Sequence, residues 1–499
     1  MSDSTSTVRR IEDGLPDHLG AVPEAGPAAE VRLRVTTLGF ERAAHVLRAA
    51  GARFITLLLS DTPEPSLVGA FALRGALVAL RAPLAGVEPV TYGALSQTWP
   101  AARWAEQELV ERFGVRPVGF ATAGPLTSPD ADRIERHLQG LDGFTIPYGP
   151  VRSGVFEAIQ FQIETGGETV PAVQTRPFFK HRGLERRFAG LPSDRAVHVA
   201  ERVAGTATVA YASAFSQAVE RALGVAPTPS AERWRAVYAE LERMAAHLDV
   251  IAKEAETSAL HVGQARFQIL KEQVTRLRAR LTGSRFARGV IVPGGVRFEG
   301  RLGLEDLLRG LDALERELVR DRRLFLATAS MTDRLIGSGR LPRELVEEYA
   351  AVGPVARGSG VSTDARHERP YGDYRRLGLQ VVTHREGDAM ARVNVRFGEL
   401  LESLRILRQS VDHLRRNEHE LATPLPPGAS GAAFGWAEAP QGELVIWVEV
   451  REGLVHRVHI ASPSLRNWAL FHHAFPRDVL TDFAFIEHSF GLTPAGADR

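Results

Sequence analysis

The sequence predicts an α+β chain in which a small mixed unit precedes a larger, mainly helical one. Three observations carry this. Short apolar runs of strand character flank amphipathic helical stretches up to residue 115, helical periodicity runs almost unbroken from 192 to 350, and strand character returns in GELVIWVEV (442–450). With 499 residues, 44% of them hydrophobic and 24% charged, the chain is globular in composition and long enough for about three domains at roughly 150 residues each.

Residues 1–30, polar and rich in Ser, Asp, Pro and Ala, read as a mobile leader. A small α/β-sandwich-like domain follows over 31–120. Within it GFERAAHVLRAAGA (39–52) has Ala, Val and Leu at helical spacing, and RFITLLLSD (53–61) and GALVALRAPL (75–84) read as strands. YGALSQTWPAARWAEQELVERFGV (92–115) reads as a turn and a helix, with Trp104, Leu109, Val110 and Phe113 on its apolar side and Gly114 closing it. Residues 121–143, with Gly124, Pro125 and Pro129, read as a linker.

The second domain spans 144–499. FTIPYGPVRSGVFEAIQFQIETGGETV (144–170) reads as a β-rich stretch with a hairpin turning at Gly166-Gly167. The long helix of 230–256 opens with Ser230 as N-cap and stripes Trp234, Val237, Leu241, Met244, Leu248 and Ile251 along one face. Helices continue at 263–283, 303–329 and 387–414, the last after a Gly/Arg-rich loop. The chain closes on turn chemistry in SFGLTPAGADR.

Composition removes several chemistries. There is no cysteine, which excludes disulfides, thiolate zinc sites, thiolate-held iron–sulfur clusters and a Cys nucleophile. Basic and acidic residues balance at 61 and 60, so a dedicated nucleic-acid binder, with its basic excess, is not expected. No segment approaches the roughly 18–20 apolar residues of a membrane span. The N-terminus has no apolar core of a signal peptide. A soluble, cytoplasmic chain is expected, docked on a membrane only through partners.

No Walker loop, GxSxG, HExxH or strand-linked GxGxxG is present. His456 and His459 in a strand diverge, as do adjacent His472 and His473, so neither pair is expected to hold a metal. Glu240, Arg243 and His247 fall at i, i+3 and i+7 on one helix face, which reads equally as a solvated face with a local ion pair or as a polar break in an apolar surround. VARGSGVSTDARHERPYGDY (355–374) sets small residues beside Arg357, Asp364, Arg366 and Arg369, either around a buried polar site or in a surface loop. Residue chemistry alone yields no function.

The segments in order resemble a known family. IPYGPVRSG (146–154), HRGLE (181–185), ERV.G (201–205), ELERMAAHL (240–248), LTGSR (281–285), PGGV (293–296), VGPVARGSGV (352–361), RVNVRFGELLES (392–403), GWAEAPQGEL (435–444) and the terminal DR resemble the large subunit of group 4, formate-hydrogenlyase-type [NiFe]-hydrogenases. They resemble equally the homologous 49-kDa-type quinone-site subunit of respiratory complex I. Residues 31–120 resemble the small, 30-kDa-type complex I subunit, in the fused order of hydrogenlyase large subunits.

That resemblance implies four nickel–iron thiolates where this chain has Ala204, Ala207, Thr493 and Gly496. Methyl groups, a hydroxyl and a hydrogen do not bind a soft metal, so no nickel centre and no working nickel hydrogenase are expected. The family's quinone-holding His and Tyr align with Phe156 and Gly205, while Arg152, His181 and Tyr211 lie in segments lining the same cavity. The resemblance places His247 and Arg202 toward a partner's iron–sulfur cluster and makes Arg357 and Asp364 a charged relay toward the membrane arm. It implies a peripheral-arm subunit that binds no cofactor of its own. Electrons would pass from a small iron–sulfur subunit to a quinone-type acceptor, with membrane subunits as further partners. The alternative is a non-catalytic subunit that couples conformational change between partners.

Overall fold

The computed structural model describes residues 21–24, 26–27, 30–84, 90–120, 143–152, 157–297, 302–414 and 421–499. Phe156, residues 1–20, 25 and 28–29 of the expected leader and all of the expected linker except Gly143 lie outside them.

The N-terminal unit is built on β1 (Val22–Glu24), β2 (Glu30–Arg34), β3 (Arg53–Ser60), β4 (Ser66–Leu73) and β5 (Ala76–Pro83), ordered β1-β2-β5-β4-β3. β2 and β5 pair in parallel and the other neighbours antiparallel. β1 falls inside the expected leader, where Val22, Pro23 and Glu24 pair with Arg34, Leu33 and Arg32. An edge strand of three residues leaves no pattern that composition can show. β4 escaped the periodicity because both its faces are covered. Leu67, Phe71 and Leu73 pack with Phe40, Phe54 and Trp99 on one side, and Val68, Ala70 and Ala72 enter the main core on the other. A strand buried on both faces loses the two-residue alternation.

Helix α1 (Phe40–Ala49) covers the first face, followed by β6 (Thr91–Gly93), α2 (Arg103–Phe113) and β7 (Arg116–Val118). The apolar side expected for α2 is corrected. Its buried residues are Glu106, Gln107 and Leu109, while Phe113 is exposed. Glu106 faces inward because its carboxylate accepts the N–H groups of Leu95 and Ser96, at 2.6 and 3.1 Å, and so holds the preceding turn.

The main unit opens with an antiparallel sheet of β8 (Phe144–Tyr148), β9 (Gln160–Thr165) and β10 (Ala172–Arg176). Residues 166–171, which include Gly166-Gly167, join β9 to β10, and the Thr165 hydroxyl accepts the Gly167 N–H. Among the helices of this unit, those that frame the site are α3 (Thr208–Leu223), α4 (Pro229–Thr257), α5 (His261–Thr282), α6 (Leu304–Leu326), α7 (Gly353–Gly358) and α8 (Ala389–Leu414), with the short pair β11 (Ile291–Val292) and β12 (Gly295–Val296) between α5 and α6. The N-cap of α4 is Thr228, not Ser230. The Thr228 hydroxyl accepts the Ala231 N–H at 3.2 Å, and Pro229 takes the first helical position, where no donor is needed.

β13 (Gly431–Ala439), β14 (Gly442–Arg451) and β15 (Leu454–Ala461) form an antiparallel sheet laid against α3. Two glycines make that approach possible. A Cβ at Gly431 or Gly435 would stand 2.0 Å from the Ala222 or Ala214 carbonyl oxygen. The chain ends on helix α9 (Phe483–Phe490) and a short helix, Pro494–Asp498, rather than on turns. The mixed content of helix and sheet is the α+β class that the sequence predicts. Among the described residues no helix is long and apolar enough to cross a membrane.

Candidate functional site

α4 runs through the core, and Glu240, Arg243 and His247 on it are 0, 1 and 0% exposed. The solvated-face reading fails because α7, α8 and β13 supply partners for this face. His247 Nε2 lies 2.7 Å from Glu399 Oε2 on α8, and Arg396 Nη1 approaches His247 Nδ1 at 3.4 Å. With an Arg donor at Nδ1, the imidazole proton sits on Nε2 and is donated to Glu399.

Arg357 on α7 takes the other side of Glu399, donating through Nε to Oε1 at 2.7 Å. Its Nη1 donates to Glu438 Oε1 on β13 at 2.9 Å and stands 3.3 Å from Asp364 Oδ2. Arg366 clamps Asp364 through Nε and Nη2, at 3.0 and 2.7 Å, and reaches Glu240 Oε1 through Nη1 at 3.0 Å. Glu240 also accepts from Tyr374 and Ser403, both at 2.6 Å, and from Arg243. One buried network thus joins His247, expected to face a cluster, to Arg357 and Asp364, expected as a relay. The segment 355–374 is a packed wall of short helices, not a surface loop.

The electrostatics follow from burial. Burial lowers His247 to about 4 against the pull of Glu399, so the ring is neutral. Burial alone would raise Glu399, but Arg357 and the His247 hydrogen bond hold it well below the usual carboxylate range. Glu438 is pushed upward by burial and by the neighbouring Asp364. It also lines a cavity of ≈ 200 Å³ between α3, α4 and residues 371–375.

Of the four positions that the resemblance sets at nickel thiolates, Ala204 and Ala207 are buried in the main core, and Thr493 and Gly496 lie in the last helical turn beside Tyr211. Thr493 caps the last helix, its hydroxyl accepting the Gly496 N–H at 3.0 Å. Tyr211 is 2% exposed and donates to Ser462 Oγ at 3.3 Å. A Cβ at Gly496 would meet Thr493 Oγ1, Ser462 Oγ and the Tyr211 hydroxyl at 2.9, 3.1 and 3.2 Å. Neither the donor set nor the space fits a nickel–iron centre.

The quinone candidates are dispersed. Arg152 forms a two-pronged pair with Glu487, at 2.8 and 2.7 Å, and stacks over Tyr148 and Phe161. His181 is exposed and its Nδ1 lies 2.9 Å from the Asp498 carbonyl. Gly205 is an exposed turn residue with open space where a side chain would stand. Arg202, on the same turn, is also exposed and donates to the His198 carbonyl. His456 and His459 diverge as expected: His456 lies near Asp61 and Glu449, while His459 is 2.8 Å from Thr56 Oγ1.

Sequence reasoning missed Glu399, Arg396 and Glu438, the groups that complete the network, and Arg182. Arg182 pins the ERV segment to the C-terminus through the carbonyls of Val203 and Ala495, at 2.7 and 2.8 Å. A signal existed for α8. Arg392, Arg396, Glu399 and Ser403 recur at i, i+4, i+7 and i+11 of α8 and form one buried polar stripe.

Residues 265–427 match the family model described as respiratory-chain NADH dehydrogenase, 49 Kd subunit. Over that stretch the chain is similar to this subunit. It is 25% identical over 447 residues to formate hydrogenlyase subunit 5 of Escherichia coli, covering 82% of this chain and 77% of that one. It is 26% identical over 391 residues to an NADH-quinone oxidoreductase subunit of Opitutus terrae, covering 72% and 91%. A solved chain from the membrane-bound sulfane sulfur reductase, an archaeal respiratory membrane complex, has the same fold. Its TM-score is 0.67 at 24% identity, over 72% of this chain and 99% of that one. The chain is thus similar to both hydrogenase and complex I subunits, and it has no cysteine at any of the four positions that the resemblance sets at nickel.

Proposed function

We propose that this chain is the peripheral-arm large subunit of a complex-I-like or hydrogenase-4-like membrane-bound oxidoreductase. It passes electrons from an iron–sulfur cluster in a partner subunit to a quinone-type acceptor, with no nickel–iron centre, on the cytoplasmic side of the membrane. Its relatives are subunits of such complexes, which supports partners both in the membrane and beside it.

The observation that carries the reading is the buried connection from His247 through Glu399 and Arg357 to Asp364 and Glu438. An electron arriving near a neutral imidazole raises its proton affinity, and the imidazolium so formed is stabilised by a carboxylate already 2.7 Å away. Charging His247 redistributes the bond that Glu399 shares with Arg357, so the change reaches α7 and β13 through hydrogen bonds alone. Glu438, the acid in this network pushed upward and bordering a cavity, is placed to hold the proton that follows.

A second reading, a non-catalytic coupling subunit, has its own support. The donors expected at the quinone, Arg152 and Tyr211, are committed to Glu487 and Ser462. Separate substitutions Arg152→Ala, Tyr211→Phe and His247→Gln in the purified complex distinguish the two. The redox role requires lost quinone reduction with assembly intact. A coupling role gives either unchanged turnover or failed assembly.

A further inference from the structure

Between the five-stranded sheet and residues 344–369 lies a cleft of ≈ 960 Å³ that the proposed function does not use. Arg369, 2% exposed, lines it. Its Nη2 pairs with Glu443, while Nε and Nη1 have no hydrogen-bond partner among the described residues. Glu443 is already shared with Arg53 and Arg466, whose Nη1 atoms stand 2.7 and 3.1 Å from Oε2. Among the described residues, the one further carboxylate paired with this group is Glu368, 3.4 Å from Arg53. Three guanidiniums therefore share two carboxylates.

This positive charge is under-compensated. Burial, and then the neighbouring Arg53, press Arg369 and Arg466 down to about 9. The Thr363 hydroxyl, also lining the cleft, is buried without a partner among the described residues. Arg48 and Arg74 line the same cleft and are exposed, with Trp99 beside them. Glu344, Glu347 and Glu348 line it too and are exposed, and Glu347 is paired with Arg343.

We propose that this cleft binds a phosphate-bearing small molecule, its oxyanion received by Arg369 and Thr363 and admitted past Arg48 and Arg74. A buried guanidinium with free donors calls for an anionic acceptor, and a planar fork suits a phosphate better than a spherical ion. The volume exceeds what a bare phosphate needs and lies in the range of small-molecule sites, roughly 300–1,000 Å³.

Calorimetric titration of the full chain with inorganic phosphate and with adenosine monophosphate, at constant ionic strength, tests this. Saturable binding of either probe is expected. Tighter binding of the nucleotide identifies an ester as the ligand, and equal or tighter binding of inorganic phosphate identifies the free anion. Arg369→Gln and the double variant Arg48→Ala/Arg74→Ala should each weaken binding about tenfold or more, the size of a lost charge-assisted contact. If Arg369→Gln does not fold, the exposed pair decides. No saturable binding by the unmodified chain, or undiminished affinity in the variants that fold, overturns the proposal.

Discussion

Glu399 holds His247 and Arg357 with its two oxygens at the same distance, 2.7 Å each, and so couples the only ring on the buried face of α4 formed by Glu240, Arg243 and His247 to the guanidinium of α7. A buried carboxylate with two charge-assisted partners is costly to neutralise, because both partners lose their counterpart at once. Glu399→Gln should therefore lower stability by about 3 kcal/mol or more. The double variant Glu399→Leu/Arg357→Met should lose more, since it also strips the buried Glu438 and Asp364 of the guanidinium they share. Urea unfolding of the three proteins checks this, and a Glu399→Gln midpoint equal to that of the unmodified chain would refute it.

Two buried histidines predict acid sensitivity. His247 and His459 are both lowered from 6.5 to about 4 by burial. A histidine with a depressed folded value contributes its full stability above pH 6.5 and loses it as pH falls through 4. By linkage each contributes at most about 3 kcal/mol. Thermal unfolding between pH 7 and 4 should steepen accordingly, and His459→Gln should flatten the fall.

Glu242 predicts the opposite slope. It caps α3 by accepting the Val209 and Ala210 N–H groups, and burial raises it from 4.5 to about 7. A carboxyl with a raised folded value contributes fully below pH 4.5, and its contribution is lost as pH rises through 7. Glu242→Gln should remove that pH-dependent loss, which is read as a flatter stability profile from pH 5 to 8.

Much of the architecture was legible. The helix of 387–414, the long helix begun at 229, the 160–176 hairpin and the C-terminal strands all showed in periodicity, because each has one face or stripe whose burial the pattern records. β4 did not, since Val68 and Phe71 face two different cores. The site was only half legible. Local spacing exposed Glu240, Arg243 and His247, but Glu399 stands 152 residues from His247 and 42 from Arg357, and Glu438 stands 81 from Arg357. Tertiary contact of this kind leaves no trace in a window of one helix.

The space around Gly496 is already occupied, so Gly496→Ala should destabilise the chain by about 1–3 kcal/mol, the usual cost of overpacking. Tyr211→Phe, which removes one of the three crowding hydroxyls, should relieve part of that loss. Thermal melts of the single and double variants read both effects. A neutral Gly496→Ala would show the pocket to be open.

Arg499 ties three segments together, through Glu108 on α2, Glu185 and the Ile460 carbonyl. Arg499→Ala should loosen the N-terminal unit from the main one. Amide exchange should then rise along α2 and around Glu185 more than in α4 or α8, and unchanged exchange at α2 would refute the link.

Reduction of a quinone by the purified assembly, compared before and after His247→Gln, bears most directly on the proposed role. The account predicts quinone-dependent turnover in the unmodified complex and a loss of at least about tenfold in the variant, the contribution of a positioned acid–base group, with all subunits retained. Turnover that is absent from the unmodified complex, or that His247→Gln leaves unchanged, would contradict it.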